Sequence, residues 1–267
     1  MVAMESVMKT YQLTVSYEGT HYFGWQIQPN RPTIQGHLQE AIKKVVNQPI
    51  NVVGSGRTDS GVHAVGQVVS CRLPWRSAAT QLAKALNTKL PSDITVRDSL
   101  EVVSGFHAIR DSLRKRYRYQ IQIGEVPSPF ERRFRWLLRN SLDLSAMQEA
   151  ARTLEGRQDF ASFQASGADR GSTVRSIFEC TVKCQSENDL AEGMMIAIEV
   201  EADGFLYNMV RNIVGSLVQI GSGKEQVQWI KTVLAARDRT KAGPTAPPHG
   251  LFLMSVDYPK EIYLIDG

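Results

Sequence analysis

The stretch Ile50-Asn51-Val52-Val53-Gly54-Ser55-Gly56-Arg57-Thr58-Asp59-Ser60-Gly61-Val62-His63-Ala64-Val65-Gly66-Gln67-Val68-Val69-Ser70-Cys71 sets an apolar run on each side of a glycine-bracketed turn. The runs Ile50 to Val53 and Val62 to Cys71 are rich in valine and too short for independent helices, so the segment reads as strand, tight loop, strand. Gly54, Gly56 and Gly61 open backbone angles closed to other residues and let a substrate's backbone approach closely. Inside the loop stand one guanidinium, Arg57, and one carboxylate, Asp59. A phosphate-binding P-loop would end in Gly-Lys-Ser/Thr, and a dinucleotide fingerprint would run into a helix after its third glycine; neither condition is met. Two readings of Asp59 stand at this level. It caps a hairpin turn, where Asp, Ser and Gly abound, or it is a carboxylate held out for chemistry.

Upstream, Tyr11 to Tyr17 alternates as a strand with Leu13, Val15 and Tyr17 on one side. The loop Glu18 to Pro32 carries His21, Tyr22, Phe23 and Trp25, aromatics suited to packing or to stacking on a ligand. Ile34, Leu38, Ala41, Ile42, Val45 and Val46 recur with helical period behind Thr33, a good N-cap. Downstream, Leu82, Ala85 and Leu86 mark a second helix, Pro91 ends it, and a strand follows near Ile94 to Val103. The order strand, helix, strand, strand, helix, strand is the ferredoxin-like, split strand-helix-strand plan, an antiparallel sheet with helices on one face.

The plan then repeats. Arg116 to Ile123 alternates Tyr117, Tyr119, Ile121 and Ile123 with Arg116, Arg118, Gln120 and Gln122, so one face is buried. A helix from near Ser145 carries Met147, Ala150, Ala151 and Leu154 to Gly156. Strands follow at about Arg175 to Lys183 and Met194 to Ala202. Met209, Val210, Ile213, Val214, Leu217 and Val218 mark a helix with Gly221 after it. Lys224 to Ala236 reads as one further helix, and the Pro-rich Gly243 to Gly250 precedes a last strand, Leu251 to Tyr258. The sequence predicts an α+β protein of two ferredoxin-like halves, 1–107 with the Asp59 loop and 108–267 with the Tyr117 strand and the Arg211 helix. Joining edge to edge in one mainly antiparallel sheet would bury the edges each half exposes.

A chain of 267 residues can bury a sizeable core as one large or two ordinary domains. No apolar stretch approaches the roughly 20 residues that span a bilayer, and Met1 to Thr10 lacks the apolar core of a signal peptide, so a cytoplasmic protein without membrane contact is expected. Cys71, Cys180 and Cys184 form no disulfide framework. Cys180 and Cys184 fall in a strand-like run, where four residues span roughly 13 Å, too far for one zinc ion. The five histidines show no paired helical spacing, so no metal is expected. Net charge is +4, but the excess is clustered. Arg110, Arg114, Lys115, Arg116 and Arg118 face only Asp111 nearby, and Arg132, Arg133, Arg135 and Arg139 interleave with Phe134 and Trp136. One such run is ordinarily a solvated face; two, with aromatics between, point to a nucleic-acid partner.

With these elements placed, the chain closely resembles the bacterial tRNA pseudouridine synthase A family, nearly end to end. The resemblance rests on Tyr17-Glu18-Gly19-Thr20 through Gly24-Trp25-Gln26, on Gly56 to His63, on Lys115-Arg116-Tyr117-Arg118-Tyr119, on Met209 to Gly215, and on His249-Gly250-Leu251. After Phe106-His107-Ala108 the pattern departs, with Ile109 before Arg110. The resemblance implies a cofactor-independent enzyme that turns uridine into pseudouridine at positions 38 to 40 of the tRNA anticodon arm, working as a homodimer with tRNA across basic clefts. It implies Asp59 as catalytic aspartate, Tyr117 as the ring on the target uracil, Arg211 as the partner of Asp59, and Arg57 beside the displaced base. Thr58, His63, Arg110, Arg114, Arg116, Asn212 and Leu251 join Arg57 as implied substrate contacts.

The reaction breaks the bond from N1 to the sugar, turns the detached ring, and joins C5 to the same carbon. A carboxylate serves by attacking C1′, by taking the 2′ proton, or by adding at C6, and the sequence leaves all three open. A base in a stem must first be flipped out, at a cost of a few kcal/mol. A tyrosine ring returns about 1 to 3 kcal/mol by stacking, although core packing with Tyr119 and Ile121 is the other reading of Tyr117. The rival to an enzyme is a non-catalytic RNA-binding protein with two sheet platforms, which would carry a Gly-Phe-Gly/Ala-Phe-type aromatic signature absent here.

Overall fold

The described residues of the computed structural model are 7–165, 167, 171–185 and 193–264. They contain ten strands and five α-helices. In chain order these are β1 (Lys9–Tyr17), α1 (Ile34–Val46), β2 (Val52–Gly54), β3 (His63–Leu73), α2 (Ala79–Asn87), β4 (Ile94–Val102), β5 (Arg114–Ile123), β6 (Trp136–Leu138), α3 (Leu144–Arg152), β7 (Gly156–Asp159), β8 (Val174–Gln185), β9 (Met194–Ala202), α4 (Met209–Gly221), α5 (Trp229–Ala236) and β10 (Leu251–Asp257). Packing divides the chain into one compact unit of Met1–Leu113 with Leu253–Gly267 and another of Arg114–Phe252.

In the first unit β3 lies antiparallel to β1 on one edge and to β2 on the other, and β4 lies antiparallel to β1. β1 and β2 are therefore parallel across α1, and β3 and β4 across α2, which is the split plan read from the element order. Alternation drives it: Tyr11, Leu13, Val15 and Tyr17 are at most 4% exposed. Thr33 caps α1 by accepting the Gly36 N–H at 3.3 Å, and Ile34, Leu38, Ala41 and Ile42 form its buried stripe. Polar pins fix α2 to β4. Ser99 Oγ donates to the Ala79 carbonyl (2.6 Å) and accepts the Ala83 N–H (3.1 Å), while the Asn87 amide bonds both backbone groups of Val96 at 2.8 Å.

The division departs from the expected cut between residues 107 and 108. Leu113 N–H donates to the Asp257 carbonyl (2.8 Å), Tyr258 Oη donates to the Ala108 carbonyl (2.6 Å), and Val103 N–H donates to the Ile262 carbonyl (3.0 Å). These bonds group both the 108–113 segment and the returning chain end with the first unit. A pattern of elements along the chain does not reveal that return.

In the second unit β9 lies between β5 and β8, antiparallel to both, so β5 and β8 are parallel across α3. β7 adds to the outer edge of β8, and β6 pairs in parallel with β5. These two strands went unread because three and four residues are too short to show a period. The helix expected from Lys224 begins at Trp229, and Gly221 is the last residue of α4 rather than the one after it. Tyr119, Ile121, Ile196, Ile198 and Val200 are fully buried. No helix among the described residues is long and apolar enough to cross a membrane.

Candidate active site

The loop between β2 and β3 is gripped from several sides. The Trp25 N–H donates to the Thr58 carbonyl (3.0 Å), Val62 N–H to the Asp59 carbonyl (3.1 Å), and Ser60 Oγ to the Tyr22 carbonyl (3.1 Å). Gly61 sits at φ +78, where its missing Cβ is needed to turn the chain into β3. Beneath the loop the Trp25 indole, 3% exposed, lies flush on Gly54: a Cβ there would stand 2.5 Å from Trp25 Cε2. Thr58 is buried and shares a 2.8 Å hydrogen bond with Tyr17 Oη. Arg57 is exposed and Asp59 half-buried, so the two charged side chains differ in access although only Thr58 separates them.

His63 is 1% exposed, and its Nδ1 accepts the Gly19 N–H at 3.0 Å. A ring so enclosed supports the turn after β1. The Thr58 hydroxyl also points inward, to Tyr17. The aromatic loop 18–32 likewise divides. Tyr22 and Trp25 are core, while Phe23 is partly exposed under the Arg31 guanidinium at 4.3 Å.

In the second unit, Tyr117 is 7% exposed on β5, with the Phe205 ring edge-on at 5.0 Å. Arg211, in the first turn of α4, is held by the Ala246 carbonyl (Nε, 2.7 Å) and by Asn208 Oδ1 (Nη1, 2.8 Å). The Pro-rich segment that supplies Ala246 rests directly on α4, for a Cβ on Gly215 would fall 1.6 Å from the Pro244 carbonyl oxygen. Burial raises the Tyr119 phenol pKa, opposed by the charge of Arg211; burial also lowers that of His249, and there Arg211 adds to the effect. Asn212 is fully buried. Its Nδ2 donates to the Phe163 carbonyl (2.8 Å), and its Oδ1 accepts from Thr245 (2.7 Å) and Arg239 (3.0 Å). It thus clasps the segment to α4. Leu251 is 5% exposed at the start of β10.

The basic run on β5 is not an open cationic track. Register sets Arg116 opposite Glu201 and Arg118 opposite Glu199. Arg116 bonds Glu201 (2.6 Å), Glu179 (2.8 Å) and Glu199 (3.0 Å), Arg118 bonds Glu199 (2.6 Å), and Arg114 bonds Glu201 (2.9 Å) while lying over the Phe178 ring. Burial works against the Arg116 charge, yet the three carboxylates hold its pKa above the usual guanidinium range. Arg116 is therefore the centre of an ion-pair ladder. Arg110, largely exposed, pairs with Asp111 and the Gly105 carbonyl. In the second run Arg135 is buried on Glu131 and Gln120.

Set beside known proteins, residues 13–108 and 150–259 match the sequence profile of tRNA pseudouridine synthases. The chain belongs to the tRNA pseudouridine synthase family. It is similar to the tRNA pseudouridine synthase A of Thermoanaerobacter sp. strain X514, 42% identical over 251 residues, covering 94% of this chain and 100% of the relative. The corresponding proteins of Moorella thermoacetica (44%, covering 94% and 100%) and Limosilactobacillus fermentum (41%, covering 94% and 96%) match over the same extent. The two profile segments include Asp59 and Arg211, and the full-length relatives span β5 with Tyr117 as well. Family motifs here combine residues of two kinds. Gly19, Trp25, His63, Asn212 and Gly215 are buried parts of the frame, and Arg57 and Asp59 are what the frame presents. Tyr17 and Trp25 stand in those motifs, but their bonds to the loop, and the contribution of Gln67, had no signal in the sequence.

Proposed function

We propose that the protein isomerises uridine to pseudouridine in the anticodon stem-loop of tRNA, with the side chain of Asp59 as its catalytic carboxylate. The observation that carries this reading is the pinned Gly54–Val62 loop in a chain whose two halves both match the family. The N1–C1′ bond breaks, the ring turns, and C5–C1′ forms; C5 gives up a proton to solvent and N1 gains one, so atoms balance without a cofactor. Arg57, exposed beside Asp59, takes the place of the extruded base. Tyr117 offers its ring to the uracil, and Arg211, held by Ala246 and Asn208, supplies the positive charge that keeps the carboxylate ionised. Arg110 and Arg114 are the partly exposed cations offered to phosphate, and a second copy of the chain completes the working enzyme.

The experiment uses unmodified tRNA labelled with tritium at uridine C5. Wild-type protein is expected to release tritium to water and to form pseudouridine in the anticodon arm. Asp59→Asn is expected to bind the tRNA and release none. Tight binding by wild type with no release would favour the RNA-binding reading. Light scattering checks the dimer, and a monomer active at the same rate would remove that part.

A further inference from the structure

Four side chains under the Asp59 loop are nearly or fully buried, polar, and bonded to one another. Gln67 on β3 is fully buried, as is Ser55; Tyr17 is 4% and Thr58 6% exposed. Ser55 Oγ donates to Gln67 Oε1 (2.6 Å), Gln67 Nε2 donates to the Gly56 carbonyl (2.9 Å) and reaches Tyr17 Oη at 3.5 Å, and Tyr17 Oη meets Thr58 Oγ1 at 2.8 Å. The direction of two of these bonds follows. A carbonyl only accepts, so the amide nitrogen must face Gly56 and the amide oxygen must take the Ser55 proton. Tyr17 Oη then receives from the amide and shares a hydrogen bond with the Thr58 hydroxyl. Burial pushes the Tyr17 phenol up to about 12, so its proton stays in place through neutral pH.

We infer that Gln67 and Tyr17 are positioning residues for Asp59. Through the Gly56 carbonyl and the Thr58 hydroxyl they hold the chain on both sides of Arg57, and the Trp25 N–H fixes the Thr58 carbonyl as the third point. Neither side chain approaches solvent, so neither touches tRNA. What they determine is where the Asp59 carboxylate stands relative to the sugar carbon. A displacement of about 1 Å at a reacting group costs on the order of a hundredfold in rate, whereas affinity, spread over many phosphate contacts, is insensitive to it. A buried network of this kind also disfavours alternative loop conformations, because breaking one link strands a polar group in the core.

The inference rests on the proposed pseudouridine activity, and the test separates the two. Tyr17→Phe removes one hydroxyl and keeps the ring in the core; Gln67→Met keeps the volume and removes the amide. With saturating tRNA, each is expected to lower kcat about tenfold with KM and tRNA affinity within about twofold, and the double variant to fall no further than the worse single one. A folded Tyr17→Phe protein with wild-type kcat overturns the inference, as does a loss that appears in KM rather than kcat. If Gln67→Met does not fold, Tyr17→Phe alone decides. Wild-type protein that forms no pseudouridine overturns the functional reading and this one with it; active wild type beside an equally active Tyr17→Phe overturns only this one.

Discussion

The Asp59 loop and strand β5 both concentrate charge in a short stretch, and they use it in opposite ways. Beneath the Asp59 loop, neutral groups hold the backbone: amides, the hydroxyls of Tyr17 and Ser55, the Gln67 amide and the Trp25 ring. They leave Arg57 exposed. On β5, Arg114, Arg116 and Arg118 are answered by glutamates that enter 63 to 87 residues later in the chain. A local count of charges therefore overstates the field of β5. Where a basic run alternates with aromatics on a strand, the neighbouring strand decides whether it faces RNA or a carboxylate.

The largest effect that would sharpen this contrast is on the loop. Asp59→Asn should lower turnover about a thousandfold or more while the melting temperature stays close to wild type, since asparagine keeps the size and shape of the aspartate side chain. Arg116→Met should do the reverse, keeping most of the turnover at 25 °C and lowering stability by about 2 kcal/mol, because Glu201, 8% exposed, and Glu199 each lose a guanidinium partner. Equal losses of activity in the two variants would erase the distinction. Salt offers a second comparison. Loss of one phosphate contact flattens the dependence of log affinity on log salt by about 0.7 to 0.9. Arg110→Ala should show that change and Arg116→Ala should not. A flattened slope in Arg116→Ala would return the ladder to the RNA surface.

A smaller effect tests the frame itself. Gly54→Ala drives a methyl into the Trp25 indole, and overpacking of that kind costs about 1 to 3 kcal/mol. Thermal unfolding should show the cost in full, and turnover should fall with it because the indole lies beneath the loop. A Gly54→Ala protein as stable as wild type would mean that the loop floor is softer than its contacts indicate.

How much of this could be read in advance follows from which interactions repeat along the chain. Burial with a period is visible: Tyr11 to Tyr17, Tyr117 to Ile121 and the stripe behind Thr33 all stand where alternation and capping put them. The strand, loop, strand reading of residues 50–71 became β2 and β3 around the Asp59 loop. Partners distant in sequence left no trace. Tyr17 meets Thr58 across 41 residues and Gln67 meets Tyr17 across 50, and nothing in either stretch announces the other. His63 and Asn212 stand in motifs beside Asp59 and Arg211, and their burial and their bonds to backbone emerge only from the fold.

The smallest effect concerns acid. Burial opposes the charge of Glu199, but Arg118 and Arg116 outweigh it, so its folded pKa lies below the ordinary 4.5. A group whose folded pKa is depressed stabilises the protein above its unfolded pKa, and that contribution disappears as pH falls through the lower, folded value. The melting temperature should therefore drop as pH is taken below about 4.5, with Asp159, lowered by its Thr173 bond and by Arg237, adding its share. Glu199→Gln isolates the part owed to the ladder: its acid limb should be shallower than that of wild type, by no more than about 1 kcal/mol because the arginines are about a third exposed. High salt should narrow the gap between the two proteins, as screening does for any partly exposed pair. Superimposable acid limbs at low salt would mean that the ladder neutralises β5 without stabilising it, and the difference between the two regions would then be one of surface potential alone.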